Sequence, residues 1–170
     1  FWARLTETKI SNLDDENLLV NIFIGSLTFL SFPEKKILKN NLDSPRSLAL
    51  LSIKDIENAV QKDLSKWAKW DFSKALKKAE QTILRCKKLE VRALFRFEDE
   101  YPELLRQITD PPYMLFCRGN VKLLSGKNIS IVGTRKISPV GKKAALEFAK
   151  DAANDGCNVV SGLASGVDAY

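Results

Sequence analysis

Histidine is absent from all 170 residues, which removes imidazole as a general base, zinc ligand or triad member within this chain. Most familiar hydrolase mechanisms lose a participant. Cysteine is scarce: Cys86, Cys117 and Cys157 are odd in number, widely spaced and set among apolar neighbours, a pattern that fits neither a disulfide framework nor a metal knuckle. We therefore expect no metal and a reducing, cytoplasmic setting. Long apolar runs are also missing. The longest candidate, "LLVNIFIGSLTFLSF", is interrupted by Asn21, Ser26 and Thr28, well short of the roughly eighteen uninterrupted residues of a membrane span, so no membrane contact is expected. There is no basic leader with a small-residue cleavage site, hence no expected signal peptide. Because the chain opens on Phe1 rather than Met, a trimmed start is expected.

What remains is an ordinary soluble composition, 45% hydrophobic and 28% charged, with enough apolar residues for a real core. The net charge of +6 favours polyanionic partners, nucleic acid among them.

The first half reads as helices. "SNLDDENLLVNIFIGSL" has a polar cap region, an acidic first turn and then apolar residues; Pro33 and Pro45 punctuate further short helices. In "SPRSLALLSIKDIENAVQ" the start signal occurs twice, as Ser44 before a proline and as Ser52 ahead of Asp55 and Glu57. From Leu64 to Cys86 the apolar positions Leu64, Ala68, Phe72, Ala75, Ala79, Ile83 and Cys86 form one stripe, which predicts a single long helix. Its other faces are rich in lysine around Trp67 and Trp70. Such a surface serves either as an accessory contact for phosphates and bases or as a solvated helix whose tryptophans pack on its neighbours.

Composition shifts near residues 88 to 90, giving two expected domains, 1–88 and 89–170. "LEVRALF", "YMLFC", "NISIVG" and "CNVVSG" have strand character. The last three are continuous apolar runs of the kind found in parallel strands covered on both faces. Between the last two runs a helix is fully signalled: Ser138 as N-cap, Pro139 at its first position, Val140, Ala144, Phe148 and Ala152 at steps of four, and Gly156 as terminator. Strand, helix and strand make a βαβ unit, expected to be right-handed.

In an open parallel sheet, ligands gather at the carboxyl ends of the strands. Two such ends are written out, "GTR" after Val132 and "SGLASG" after Val160. Gly133 permits a sharp turn, Thr134 offers a hydroxyl and Arg135 a planar fork of donors, while the helix after Ser138 is expected to supply free N–H groups. Ser161, Gly162, Ser165 and Gly166 add a second small-residue loop able to form a nest of N–H groups. These seven residues are the expected anion site. Gly133 and Gly162 serve either backbone geometry or ligand approach; Asp168 serves either as a helix cap or as a ligand contact; Gly141 suits close helix–sheet packing. The site is not a dinucleotide fingerprint, because Arg135 stands where the second glycine belongs and no acidic residue ends the next strand. Nor is it a Walker A loop, since no G-K-[ST] follows. No catalytic residue and no cofactor are expected.

The segments "YPELLRQITDPPYMLFCRGN" and "ISIVGTRKISPVGKKAALEFAKDAANDGCNVVSGLASGVDAY" resemble the DNA-processing protein A family of bacteria (DprA, also called Smf). Its pattern runs YPxxL, DPP, a strand ending in RGN or RGD, IVGSR or IVGTR with a following S-x-x-G, and SGLAxGID. The resemblance implies an extended Rossmann-like domain, here only in part, preceded by a small all-helical domain similar to a sterile-alpha-motif or helix-hairpin-helix fold. It implies a non-enzymatic protein that binds single-stranded DNA and helps load the recombinase RecA during natural transformation, and a homodimer when full length. The family's G-[ST]-R motif falls on Gly133, Thr134 and Arg135, and its SG motif on Ser161 and Gly162. Ser165 stands where many members carry a basic residue. Three strands and one crossover helix cannot cover both faces of a parallel sheet, so the chain is expected to be a piece of a longer protein. The competing class is a Rossmann-like phosphoribohydrolase acting on nucleoside monophosphates, whose P-G-G-x-G-T-x-x-E loop is absent from these residues; a third is an interaction scaffold.

Overall fold

The computed structural model describes residues 13–42, 47–48 and 51–170. The cap expected at Ser44 and the polar region around Ser11 lie outside them. The chain divides into two compact units, Phe1–Arg96 with Pro112–Gly119 and Phe97–Pro111 with Asn120–Tyr170. Composition changes near residue 88, but by packing the strand that follows stays with the helices.

In the first unit, helices α1 (Leu13–Ser26), α2 (Phe32–Asn40), α3 (Ile53–Val60) and α4 (Phe72–Leu89) surround a core that includes Phe23, Ile24, Leu27, Ile56, Leu64 and Ile83. Their starts follow from local chemistry. Ser31 and Glu34 form a capping box with Pro33 in the first turn of α2, and Ser52 and Asp55 form another at α3. Lys35 is buried without being stranded: its stem lies in the core while its ammonium donates to the Gly25 carbonyl at 3.2 Å, near the end of α1.

The long helix expected over Leu64–Cys86 is two elements, a short 3₁₀ turn at Ser65–Trp67 and then α4. The break comes from Asp71, whose carboxylate accepts the Lys74 N–H at 3.0 Å and starts a new helix. Ala68 is accordingly exposed, while Leu76, Ala79, Ile83 and Cys86 carry the buried stripe. The tryptophans belong to packing: Trp70 meets Phe23, Phe29 and Phe72, and Trp67, 41% exposed, stacks on Phe29 at 4.8 Å.

Strands β1 (Val91–Phe95) and β2 (Met114–Arg118) pair antiparallel, Val91 opposite Arg118 and Phe95 opposite Met114. This corrects the expectation that "YMLFC" joins the parallel block. Its partner is the strand that leaves α4, and the pair packs with the helices; an apolar run of five does not reveal its partner's direction.

The second unit holds the short helix α5 (Glu103–Arg106), a 3₁₀ turn at Val121–Ser125, strand β3 (Asn128–Ser130), helix α6 (Pro139–Asn154), strand β4 (Asn158–Val160) and a final 3₁₀ turn at Val167–Ala169. The Arg106 guanidinium stitches the "YPELL" segment by donating to the carbonyls of Glu98 and Tyr101 at 3.0 and 3.2 Å. Strands β3 and β4 are parallel, Asn128 opposite Asn158, and the Ile131 N–H to Val160 carbonyl bond (3.0 Å) extends the ladder. With α6 between them they form the expected βαβ unit. The molecule is thus α/β in class.

Apolar surface in this unit is open, in keeping with the expectation that so few strands and one crossover helix cannot cover both faces of a parallel sheet. Val132, Val140 and Phe148 are 72%, 79% and 70% exposed. The less exposed positions of α6 are Gly141, Ala144, Ala145, Ala149 and Ala152, so the predicted stripe holds at Ala144 and Ala152 but not at Val140 and Phe148. Among the described residues no helix is long and apolar enough to cross a membrane, and all three cysteines are free thiols.

Tyr113 is buried between Phe32 and Phe95, and burial pushes its phenol up to about 12. The native state then holds this proton more tightly than the unfolded chain. Its contribution to stability is complete below the usual phenol value of about 10 and is lost as pH rises towards about 12. A tyrosinate absorbance titration should show a late step that Tyr113→Phe removes, with denaturant stability of the wild type falling over the same window.

Candidate nucleic-acid interface

The two strand-end loops meet. After β3 the chain passes through Ile131 and Val132 into Gly133, Thr134 and Arg135; after β4 it passes through Ser161 and Gly162 to Ser165 and Gly166. The Ser161 hydroxyl donates to the Ile131 carbonyl at 2.9 Å, and the Val167 N–H donates to the Thr134 carbonyl at 3.1 Å. The seven expected site residues therefore lie on two loops joined at both their roots and their tips.

Gly166 is what permits the joint at the tips. Its φ is +94°, and a Cβ there would meet the Thr134 carbonyl oxygen and come within 2.6 Å of the Arg135 Cα. A side chain has no room between two backbones. Gly133 is similarly placed, since a Cβ would come within 2.6 Å of the Val167 side chain. At both positions close packing of loop on loop accounts for glycine. In the second loop Leu163 adopts φ +55° while 87% exposed, a left-handed conformation that a leucine holds only when its surroundings impose it.

The polar groups are less free than the sequence implies. The Thr134 hydroxyl is tied to the backbone of Lys136, accepting its N–H at 3.2 Å and lying 3.3 Å from its carbonyl. At the start of α6, Pro139 has no N–H, the Gly141 N–H donates to the Ser138 hydroxyl at 3.1 Å and the Lys142 N–H to the Ser138 carbonyl at 2.9 Å. The helix terminus expected to offer N–H groups is largely occupied by its own cap. The amides of Gly133 and Gly162 are engaged too, donating at 3.3 and 3.2 Å to the two oxygens of the Asp168 carboxylate. Asp168 thus bridges the loops, a role distinct from both the cap and the ligand contact expected of it. Sequence reasoning had no signal for this beyond an acidic residue following a glycine loop.

Arg135 differs from its neighbours. It is exposed, and it forms no ion pair among the described residues, so its five N–H donors face solvent beside the joint. Lys142, unremarked in the sequence, brings its ammonium over the Tyr170 ring at 3.9 Å on the same unit. The groove of about 410 Å³ between β3 and α6, walled by Ile129, Ile131, Ala145 and Phe148, is apolar and unsuited to an anion. Among the described residues no cluster of acidic or sulfur ligands could hold a metal.

The family described as DNA recombination-mediator protein A matches residues 92–170, which contain both loops. The chain is 32% identical over 147 residues to Protein Smf of Borreliella burgdorferi, covering 86% of this chain and 46% of that protein. Residues 92–170 belong to the DprA/Smf family. It is also 46% identical over 70 residues to the DNA processing protein DprA of Bacillus subtilis, covering 41% of this chain and 24% of the relative. The protein of the same name from Streptococcus pneumoniae is 38% identical over 71 residues, 42% of this chain and 25% of the relative. The chain therefore spans less than half the length of the curated relatives it matches.

The joint makes its own prediction. Gly166→Ala places a methyl group against the Thr134 carbonyl and the Arg135 backbone at a left-handed φ, and should cost about 1–3 kcal/mol. Chemical denaturation measures the loss, and amide chemical shifts of Thr134 and Arg135 should move with it.

Proposed function

We propose that this chain is the part of a single-stranded DNA-binding protein that grips the phosphate backbone. The observation that carries the reading is the convergence of the two glycine-bearing loops beside an arginine that has no ion partner among the described residues. Arg135 supplies the charge and the bidentate geometry a phosphate calls for. Gly133, Thr134, Ser161, Gly162, Ser165 and Gly166 form the frame that presents it. The +6 net charge adds a sequence-independent attraction that salt screens. The βαβ unit is the opening of an extended Rossmann-like domain, and the helical unit is the small domain that precedes it.

Family membership supports the rest. The whole protein acts without chemistry of its own, in the cytoplasm, as a homodimer that helps load RecA on single-stranded DNA during natural transformation. Nothing at the loops favours the phosphoribohydrolase alternative.

Fluorescence anisotropy of the full-length protein with labelled oligothymidine tests the reading. Affinity should fall steeply as salt rises, and Arg135→Ala should weaken binding by about tenfold or more while lowering the slope of log affinity against log salt by about one. Salt-independent binding, or an unaffected Arg135→Ala variant, overturns it.

A further inference from the structure

Two N–H groups converging from two loops form a seat for an anion, and in this chain an internal anion sits in it. The Asp168 carboxylate takes the Gly133 amide on one oxygen at 3.3 Å and the Gly162 amide on the other at 3.2 Å. It can do so because Gly166 and Val167 bring the second loop back across the first, with the Val167 N–H on the Thr134 carbonyl. Gly162 immediately precedes Leu163, the exposed residue held at a left-handed φ, so the bridge anchors the strained end of its loop. Among the described residues no other acceptor takes the Gly133 and Gly162 amides.

We infer that Asp168 is a positioning residue: its carboxylate locks the two strand-end loops into one surface and fills their shared amide seat, leaving an incoming nucleic-acid phosphate to the guanidinium of Arg135 at the rim. This rests on the proposed DNA-binding role for the identity of the ligand, but the lock itself does not. The chemistry is specific to a carboxylate. An asparagine at 168 offers one acceptor oxygen and turns an NH₂ donor towards the second amide, donor against donor, so one half of the bridge must open.

The sign of the effect on binding separates positioning from electrostatics. Removing a negative charge beside a phosphate site should strengthen binding if charge were all that mattered. If Asp168 positions the loops, the same substitution weakens it.

The first measurement needs no variant. Amide hydrogen exchange in the full-length wild type should be slower at Gly133 and Gly162 than at Leu163 and Ser165 of the same loop by about tenfold or more; equal exchange overturns the inference. In Asp168→Asn, exchange at Gly133 and Gly162 should accelerate while Ile131 and Asn158, held by the β3–β4 ladder, stay unchanged. Oligothymidine affinity at fixed salt should drop several-fold, and Asp168→Glu should restore part of it. Unchanged exchange at the two glycines, or affinity that holds or rises in Asp168→Asn, overturns the positioning role. Wild-type protein that binds no oligothymidine sinks the proposed function instead, and the exchange data then decide the lock alone.

Discussion

The candidate site exists because one position has no side chain. At Gly166 the backbone of the second loop rests directly on Thr134 and Arg135, at a separation that no Cβ tolerates. From that contact the rest follows in order. Val167 reaches the Thr134 carbonyl, Asp168 comes within reach of both glycine amides, and the exposed side chain of Arg135 stands beside the joint. Two loops separated by a sixteen-residue helix thereby behave as one element.

Much of this half was legible, and the reason is locality. Helix α6 begins at Pro139 after a Ser138 cap and is followed by Gly156 at φ +73°; each signal acts within a few residues. The glycine positions were legible too, though their purpose was not. Gly133 and Gly166 read as ligand-approach or turn residues, whereas they accommodate each other's loop, a contact between residues over thirty apart. The partner of β2 failed for the same reason: pairing is decided at a distance, and an apolar run carries no direction. In the helical unit, α3 and α4 both end on left-handed residues that are not glycine, Gln61 at φ 51° and Glu90 at φ 53°. Sequence stop signals could not mark these ends. The apparent stripe from Leu64 to Cys86 conceals a break because Asp71, lying between its apolar positions, caps a new helix.

The two units rest on different physics. The helical unit buries Phe23, Ile24, Leu27, Leu48 and Ile56 completely, and its aromatic cluster of Phe23, Phe29, Trp70 and Phe72 adds edge-on and tilted contacts. The βαβ unit buries Ala145 in α6 and leaves Ile129, Val159 and Val160 substantially open. A parallel sheet draws its stability from cover on both faces, which two strands and one helix do not supply. The loops do not depend on that cover. Their joints are short-range, made by backbone groups and one carboxylate within the unit itself.

The relative strength of these joints decides what each can control. The carboxylate bridge is partly exposed, and exposed charge-assisted contacts contribute little because water competes for both partners. The Gly166 contact is steric, and repulsion between backbones is not screened by water or salt. Steric fit therefore sets how closely the loops approach, while the Asp168 bonds select among the arrangements that this approach allows. Arg135 does neither. Having no ion partner among the described residues, its guanidinium gives up no internal salt bridge when it meets a phosphate, so the attraction it brings is offset only by its own desolvation and ordering. Frame and charge are thus carried by different residues. An anion could meet the charge without disturbing the frame, because the joints are made by backbone groups and one carboxylate while the guanidinium stands outside them.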